Sequence, residues 1–448
     1  MKMRLRLSLV ILLLAVTTSP NTNAWPDQNV MAGSPPTLAG GEHWETVTDG
    51  MIDSRPFVLR LAQTAAVRSD KLSGVIFLLG VDDGGLKIFA TSVSGNGNLS
   101  GWPDAGGNTG LAAADAICQS RATAAGLTGT FKAWLSDSNN DAYCRVHNLG
   151  GKKSANCGQG SLPVAAGPWV RIDGFPFSEA IDQLLAGKVY TPVRYDEFGN
   201  LIPSNFPGNF YFTNTYIDGT VDPSYSTSCS NWTSNSSQYV GGATTDLTTI
   251  MWTEYYSVVC SLTGRLLCMQ TGTWPSLPNL ASTGKKAFVT SGPVSGDLGY
   301  YSGGGYTGLA AGDAICRARA AAAGLANAAN FKAWLSSSTV NAKDRITSNG
   351  PWVRLDGIKI ADNKADLTDG SLFTSINLNE NGGYFGNYGV WTGTESSGMK
   401  SASTCNDWTS SSAPVSGRTG TAANAGDGWT GSSTATCGSG FHLYCFED

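Results

Sequence analysis

Thr109-Gly110-Leu111-Ala112-Ala113-Ala114-Asp115-Ala116-Ile117-Cys118 returns as Thr307-Gly308-Leu309-Ala310-Ala311-Gly312-Asp313-Ala314-Ile315-Cys316, with Gly312 standing where Ala114 stands. The same order holds on both sides of this stretch. Upstream, Lys87-Ile88-Phe89-Ala90-Thr91-Ser92 is matched by Lys286-Ala287-Phe288-Val289-Thr290-Ser291. Downstream, Phe131-Lys132-Ala133-Trp134-Leu135-Ser136 returns unchanged at 331–336, and Gly167-Pro168-Trp169-Val170-Arg171-Ile172-Asp173-Gly174 returns at 350–357 with Leu355 for Ile172. Cys229-Ser230-Asn231-Trp232-Thr233-Ser234 parallels Cys405-Asn406-Asp407-Trp408-Thr409-Ser410. A repeat this long is a duplicated domain and not a solenoid unit. One copy runs over 86–270 and another over 286–448, joined by a Pro-, Ser- and Gly-containing linker at 271–285.

Each copy reads as α+β. Residues 88–92 form a β-rich opening. Residues 109–125 hold good helix formers, with Thr109 at the cap position and Gly126 where a helix should stop. Leu111, Ala114, Ile117, Cys118 and Arg121 follow helical spacing, which puts Cys118 on or beside the buried stripe. Residues 131–135 alternate as a half-buried strand does, and 169–174 form a second strand ending in a glycine turn. Long loops and short strands fill the rest, closing on Leu266-Leu267-Cys268 or Leu443-Tyr444-Cys445.

The first residues point to export. Lys2, Arg4 and Arg6 precede an apolar run at 7–16, and Thr22-Asn23-Ala24 ends on small residues. This layout predicts a signal peptide over 1–24 with cleavage after Ala24, and the run is too short to span a bilayer. The expected cleavage site holds no cysteine to carry a lipid. No later stretch predicts a membrane span. The net charge of −5 becomes more negative without the leader, so no broad basic field is present to draw nucleic acid. With 13 Trp, 15 Tyr and 16 Phe, the chain has enough large side chains to build cores. Ten cysteines, an even number, read as five disulfides in an oxidising compartment, secreted, on the cell surface or periplasmic. Cys118, Cys229, Cys260 and Cys268 correspond to Cys316, Cys405, Cys437 and Cys445, and spacing leaves three pairings open in each set. Residues 25–85 have no clear fold, although 57–67 suit a short helix and 74–80 a buried strand.

The helix ending in Ala125-Gly126-Leu127, the Gly129-Thr130-Phe131-Lys132-Ala133-Trp134-Leu135-Ser136 strand, the Cys-Asn-Asp-Trp-Thr segment and the closing Tyr444-Cys445-Phe446-Glu447 together resemble the endostatin-like branch of the C-type-lectin-like fold. More closely, each copy is similar to a bacterial secreted domain family of uncharacterised function, found singly or in tandem in surface proteins. The resemblance implies Cys118–Cys268 with Cys229–Cys260, and Cys316–Cys445 with Cys405–Cys437. It does not extend to endostatin's zinc site, because His43, His147 and His442 lie far apart in sequence, nor to its heparin-binding arginine patch. The Glu-Pro-Asn segment with which sugar-binding C-type lectins hold calcium is missing. No cofactor is expected, and calcium stays only as a minor alternative.

The first copy carries an insertion between Trp134 and Trp169 that holds Cys144 and Cys157. A disulfide-closed surface loop is the expected arrangement, against a Cys/His metal site with His147 that lacks a clear fourth ligand. No histidine occupies matching positions in the two copies, so no Ser-His-Asp or Cys-His arrangement recurs. His442 aligns with Arg265. Asp115/Asp313 and Asp173/Asp356 are the acidic positions that recur most clearly. The former read as helix-surface groups, and the latter as ion pairs with Arg171 and Arg354 or as turn caps. No catalytic residues are assigned, and the chain is read as non-enzymatic.

Binding remains. The loop half is rich in aromatic, amide and carboxylate side chains, which suit sugars and protein partners. The candidate ligand-binding residues are Tyr384, Tyr388, Trp391, Glu395, Asn406, Asp407 and Trp408, with Tyr211, Asn231, Trp232 and Trp252 in the first copy. For Trp391, Trp408 and Trp232, core packing beneath the loops is the favoured reading over ligand contact. The sequence therefore predicts a secreted or cell-surface adhesion protein that recognises an extracellular glycan or matrix protein. Its alternatives are a structural spacer and a carboxylate-dependent carbohydrate-active enzyme.

Overall fold

In the computed structural model, the described residues are 84–448 apart from 226, 278–281 and 387, together with the backbone of two short paired strands, Met51–Ile52 and Arg55–Pro56. The leader at 1–24, the helix at 57–67 and the strand at 74–80 lie outside them.

Each copy is built on one strand that is apolar on both faces. In the first copy, β1 (Leu86–Ala90) is followed by α1 (Gly110–Ala124), β2 (Phe131–Ala133), β3 (Trp169–Arg171) and β4 (Pro176–Ser178). Then come β5 (Phe210–Phe212), β6 (Tyr239–Thr244), β7 (Tyr256–Val259) and β8 (Arg265–Gln270). The sheet order is β4-β3-β1-β8-β5-β6-β7, with β2 also paired to β8. All four side chains of its Leu266-Leu267-Cys268-Met269 run are buried, so β8 has no solvent face. Leu266 and Cys268 point into a core shared with Phe89, Phe131 and the helix residues Leu111, Ile117 and Cys118. Leu267 and Met269 point into a second core with Ile88, Ala90, Trp134 and Trp169. The strand period of two thus sorts one sequence into two cores.

The second copy repeats this plan through β9 (Lys285–Val289), α2 (Gly308–Ala322), β10 (Phe331–Ala333), β11 (Trp352–Val353) and β12 (Lys359–Ala361). It continues with β13 (Gly389–Trp391), β14 (Ser416–Thr421), β15 (Ser433–Thr436) and β16 (His442–Glu447). The order is the same, β12-β11-β9-β16-β13-β14-β15, with β10 on β16. The protein is therefore α+β, with two similar sheets.

Thr109 and Thr307 occupy the cap positions of α1 and α2, but neither side chain accepts a capping hydrogen bond. The expected stop is present: Gly126 adopts φ +71°, and the Leu127 N–H returns to the Ala122 carbonyl at 2.9 Å. The disulfides are Cys118–Cys268, Cys229–Cys260, Cys316–Cys445, Cys405–Cys437 and Cys144–Cys157. In each copy the first ties the long helix to the central strand.

Residues 83–448 form one compact body, so the copies are not beads on a string. Their junction has pseudo-two-fold symmetry. Leu247 and Asn424, equivalent positions, bridge each other, flanked by Thr248 N–H to Ala423 O and Ala425 N–H to Asp246 O, both 2.9 Å. The buried Arg194 Nη1 donates to the carbonyls of Leu372 (2.7 Å) and Ala425 (3.2 Å). Its counterpart Asn377 donates from Nδ2 to Thr248 Oγ1 at 3.1 Å. Phe175 stacks on Phe373 at 6.0 Å between ring centres.

Candidate functional site

The Cys-x-x-Trp segment of each copy folds into a left-handed turn. From Ser228 to Trp232, φ runs between 45° and 65°, and from Cys405 to Trp408 between 51° and 65°. L-residues pay roughly 1–2 kcal/mol each for this conformation, so such a run persists only where its surroundings hold it. Cys405 and Trp408 are the inner anchors. The sulfur is bonded to Cys437, and Trp408 Nε1 donates to Ser336 O at 2.7 Å, as Trp232 Nε1 does to Ser136 O at 3.0 Å. The turn sends Asn406 out to solvent and leaves Asp407 at its rim.

Asp407 closes the turn onto the next loop. Its Oδ1 accepts from Ser338 N–H at 2.6 Å and its Oδ2 from Ser338 Oγ at 2.7 Å. Burial works against the charge, but the two Ser338 bonds, Thr404 and then Lys400 outweigh it and hold the carboxyl below its ordinary range. Asn231 makes the equivalent contact in the first copy, accepting from Ser138 N–H at 3.1 Å. The carbonyls of Asp407 and Asn231 face the first residues of the long helices. A Cβ on Gly308 (φ +57°) would meet Asp407 O at 2.9 Å, and one on Gly110 (φ +56°) would meet Asn231 O at 2.9 Å. Glycine is therefore required at both helix starts.

Beside the second turn runs the loop that leads into α2, tied to it by the Asp297–Thr409 bridge. This loop exposes three tyrosines: Tyr300 at 82%, Tyr301 at 42% and Tyr306 at 47%. The exposed Asn406, the rim carboxylate of Asp407 and this loop form the candidate surface.

No family model matches the chain, and no curated protein matches it either.

The aromatic half of the sequence-predicted site needs correcting. Trp391, Trp408, Trp232, Trp252 and Tyr211 are fully buried and present no face to a ligand. Trp391 and Trp408 pack on each other at 5.9 Å, and Trp391 Nε1 donates to Val294 O at 2.9 Å. They fill the core beneath the loops, because large rings stabilise most where all their surface leaves water. Asn406 and Asp407 do meet on one turn. Tyr384 instead lies at the copy junction, donating to Asp356 Oδ2 at 3.2 Å and meeting Tyr190 edge-on at 6.2 Å. Tyr388 is 50% exposed and packs on Phe385 and His442. Glu395 is paired with Arg418 at 2.8 Å.

The recurring aspartates have partners. Asp356 holds the fully buried Arg354 at 2.7 Å, and Asp173 holds Arg171 at 2.5 Å. Burial pulls the Asp356 carboxyl up, but the Arg354 charge and its hydrogen bond win, leaving it below the usual range. Asp313 binds Arg345 through both oxygens at 2.7 Å, and Asp115 binds Arg145 and Lys132. In the insertion, Cys144 and Cys157 are bonded to each other, which removes both sulfurs as metal ligands. His147 Nδ1 lies 2.8 Å from Tyr143 O, and burial lowers its pKa.

Two features escaped the sequence reading. Glu197 and Glu380 recur in Asp196-Glu197-Phe198-Gly199 and Asn379-Glu380-Asn381-Gly382, a signal that a position-by-position alignment would have exposed. Each buried carboxylate takes the backbone N–H and hydroxyl of a serine, Ser92 or Ser291, and an arginine, Arg121 at 2.6 Å or Arg319 at 3.6 Å. These groups pin the loop that follows the first strand. The tyrosine loop is the other, and its signal is Tyr300-Tyr301-Ser302-Gly303-Gly304-Gly305-Tyr306, too polar and glycine-rich to read as core.

Proposed function

We propose that this chain is an exported, non-enzymatic binding protein, built from two endostatin-like domains of the C-type-lectin-like fold, that recognises an extracellular glycan or matrix protein. The observation that carries this reading is the surface on the second copy, where a strained left-handed turn presents Asn406 and Asp407 beside three exposed tyrosines. Backbone strain of this kind collects at ligand-binding loops. Exposed tyrosine offers apolar area and a hydroxyl with little entropy to lose on contact. Export is supported by the leader-like first residues, by the five disulfides and by the described residues, which contain no helix long and apolar enough to cross a membrane.

The arrangement of the recurring carboxylates favours binding over hydrolysis. A glycosidase needs one carboxyl free to protonate the leaving group and another free to attack or to activate water. Asp173 and Asp356 are held by buried guanidinium groups, and Asp115 and Asp313 by Arg145 and Arg345. The interlocked junction between the copies gives the spacer reading its own support, because it joins two domains in one compact body.

The test is an array of glycans and matrix proteins probed with oxidised protein lacking residues 1–24, with calcium and with chelator. Saturable, chelator-resistant binding to one ligand class is the expected result. Failure to bind anything favours the spacer, and binding lost to chelator favours a calcium lectin.

A further inference from the structure

The duplication provides an internal comparison for the tyrosine loop. Asn98 and Asp297 make equivalent bridges to Thr233 and Thr409, which places Trp102 of the first copy opposite Tyr301; its ring is tucked against Gly95, only 6% exposed, with Nε1 donating to Asn96 O at 2.8 Å. In the second copy the buried Val294 stands where Gly95 stands and fills that niche. The second copy leaves Tyr300 at 82% exposure and sets it edge-on to Tyr301 at 5.0 Å.

The loop is also shaped to hold them there. Gly303 and Gly305 take φ +72° and +71°, and Ser302 Oγ donates to the carbonyls of Gly299 at 3.0 Å and Tyr306 at 3.4 Å. The Tyr306 ring lies back over Gly304, within 3.8 Å of where a Cβ would sit.

We infer that the 297–306 loop of the second copy, with Asn406 at its edge, is a calcium-independent contact surface for a neutral glycan. The inference rests on the binding function proposed above. Tyrosine rings offer flat, polarisable faces for the C–H faces of a pyranose, while their hydroxyls and the Asn406 amide suit sugar hydroxyls. The nearby charges are already engaged. Asp407 takes two hydrogen bonds from Ser338, and Lys400 Nζ donates to the Ser338 carbonyl. The chain's net charge of −5 disfavours a sulfated or phosphorylated polymer. A neutral sugar chain needs no counter-charge and is the ligand this surface fits. The first copy lacks the rings and is not expected to bind.

The experiment is calorimetric titration of oxidised protein with neutral hexose and N-acetylhexosamine oligosaccharides, beside a sulfated glycosaminoglycan and the matrix proteins of the array. Neutral oligosaccharide binding with one site per chain is expected. Replacing both Tyr300→Ala and Tyr306→Ala should weaken it about tenfold or more, since stacked rings contribute on that scale. The thermal midpoint of Tyr300→Ala alone should be unchanged, as that side chain is in solvent, and Asn108→Ala in the first copy should leave affinity unchanged. As a check that needs no variant, bound oligosaccharide should protect Tyr300 and Tyr306 from nitration. Neutral binding that survives the double substitution, or binding of the sulfated polymer alone, overturns the inference. Binding of a matrix protein but no sugar overturns it while sparing the binding function. No ligand at all sinks both.

Discussion

Gly308→Ala is the sharpest structural test of the left-handed turn. Two costs add. Alanine at φ +57° pays roughly 1–2 kcal/mol for the left-handed region. Its methyl would also lie 2.9 Å from Asp407 O, which the Cys405–Cys437 bond and the Trp408–Ser336 hydrogen bond keep from retreating. Forcing a methyl into a filled site costs about 1–3 kcal/mol. The sum is about 2–5 kcal/mol, read from urea unfolding of oxidised protein as a lowered midpoint at constant slope. Gly324→Ala, at the other end of the same helix, has φ +68° and nothing within 4 Å of its Cβ, so it carries the first cost alone. Gly110→Ala meets Asn231 O at the same 2.9 Å and should match Gly308→Ala. Equal losses at Gly308 and Gly324 would refute the claim that the turn carbonyl is pinned.

Other consequences follow from paired and titrating groups. Asp356→Asn leaves the fully buried Arg354 without its carboxylate and should cost about 3–5 kcal/mol by the same urea assay, whereas an unchanged midpoint would show the pair to be dispensable. Glu254 is raised to about 7 by burial first and then by the Asp222 charge, against a hydrogen bond from the Ile217 N–H. Since its folded pKa lies above the unfolded value, its contribution is complete below the ordinary carboxylate range and fades as pH rises through about 7. Glu254→Gln should flatten that slope, and a parallel pH–stability curve would count against the assignment. Removing Cys316–Cys445, which spans 129 residues, should cost about 5 kcal/mol, and removing Cys144–Cys157, which spans 13, about 3 kcal/mol. The reverse order would overturn the chain-entropy argument.

Much of the fold was legible because it is periodic or repeated. The helix stripe through Leu111, Ile117 and Cys118, the alternation in Phe131-Lys132-Ala133 and the Gly126 stop each follow from local geometry. The candidate surface was only half legible. Asn406 and Asp407 stand on it because their segment turns left-handed, and composition alone does not reveal that turn. Trp391, Trp408, Trp232 and Trp252 looked like ligand contacts because loops rich in aromatics suggest binding, yet the same rings are what a loop-rich domain uses to fill its core. The junction was hidden for a different reason. Arg194, Leu247 and Asn424 are ordinary in sequence and gain their meaning only when the copies meet. The linker composition marks where the copies join and not that they touch, yet the carbonyls of Leu372 and Ala425 take a buried guanidinium from the first copy.

The most direct test of the account is saturation binding of the array-selected ligand to oxidised protein, followed by mass analysis of the recovered ligand. A recognition protein should bind to saturation and return its ligand intact after prolonged incubation. Cleaved or modified ligand, lost in Asp173→Asn or Asp356→Asn, would contradict the account and make the chain an enzyme.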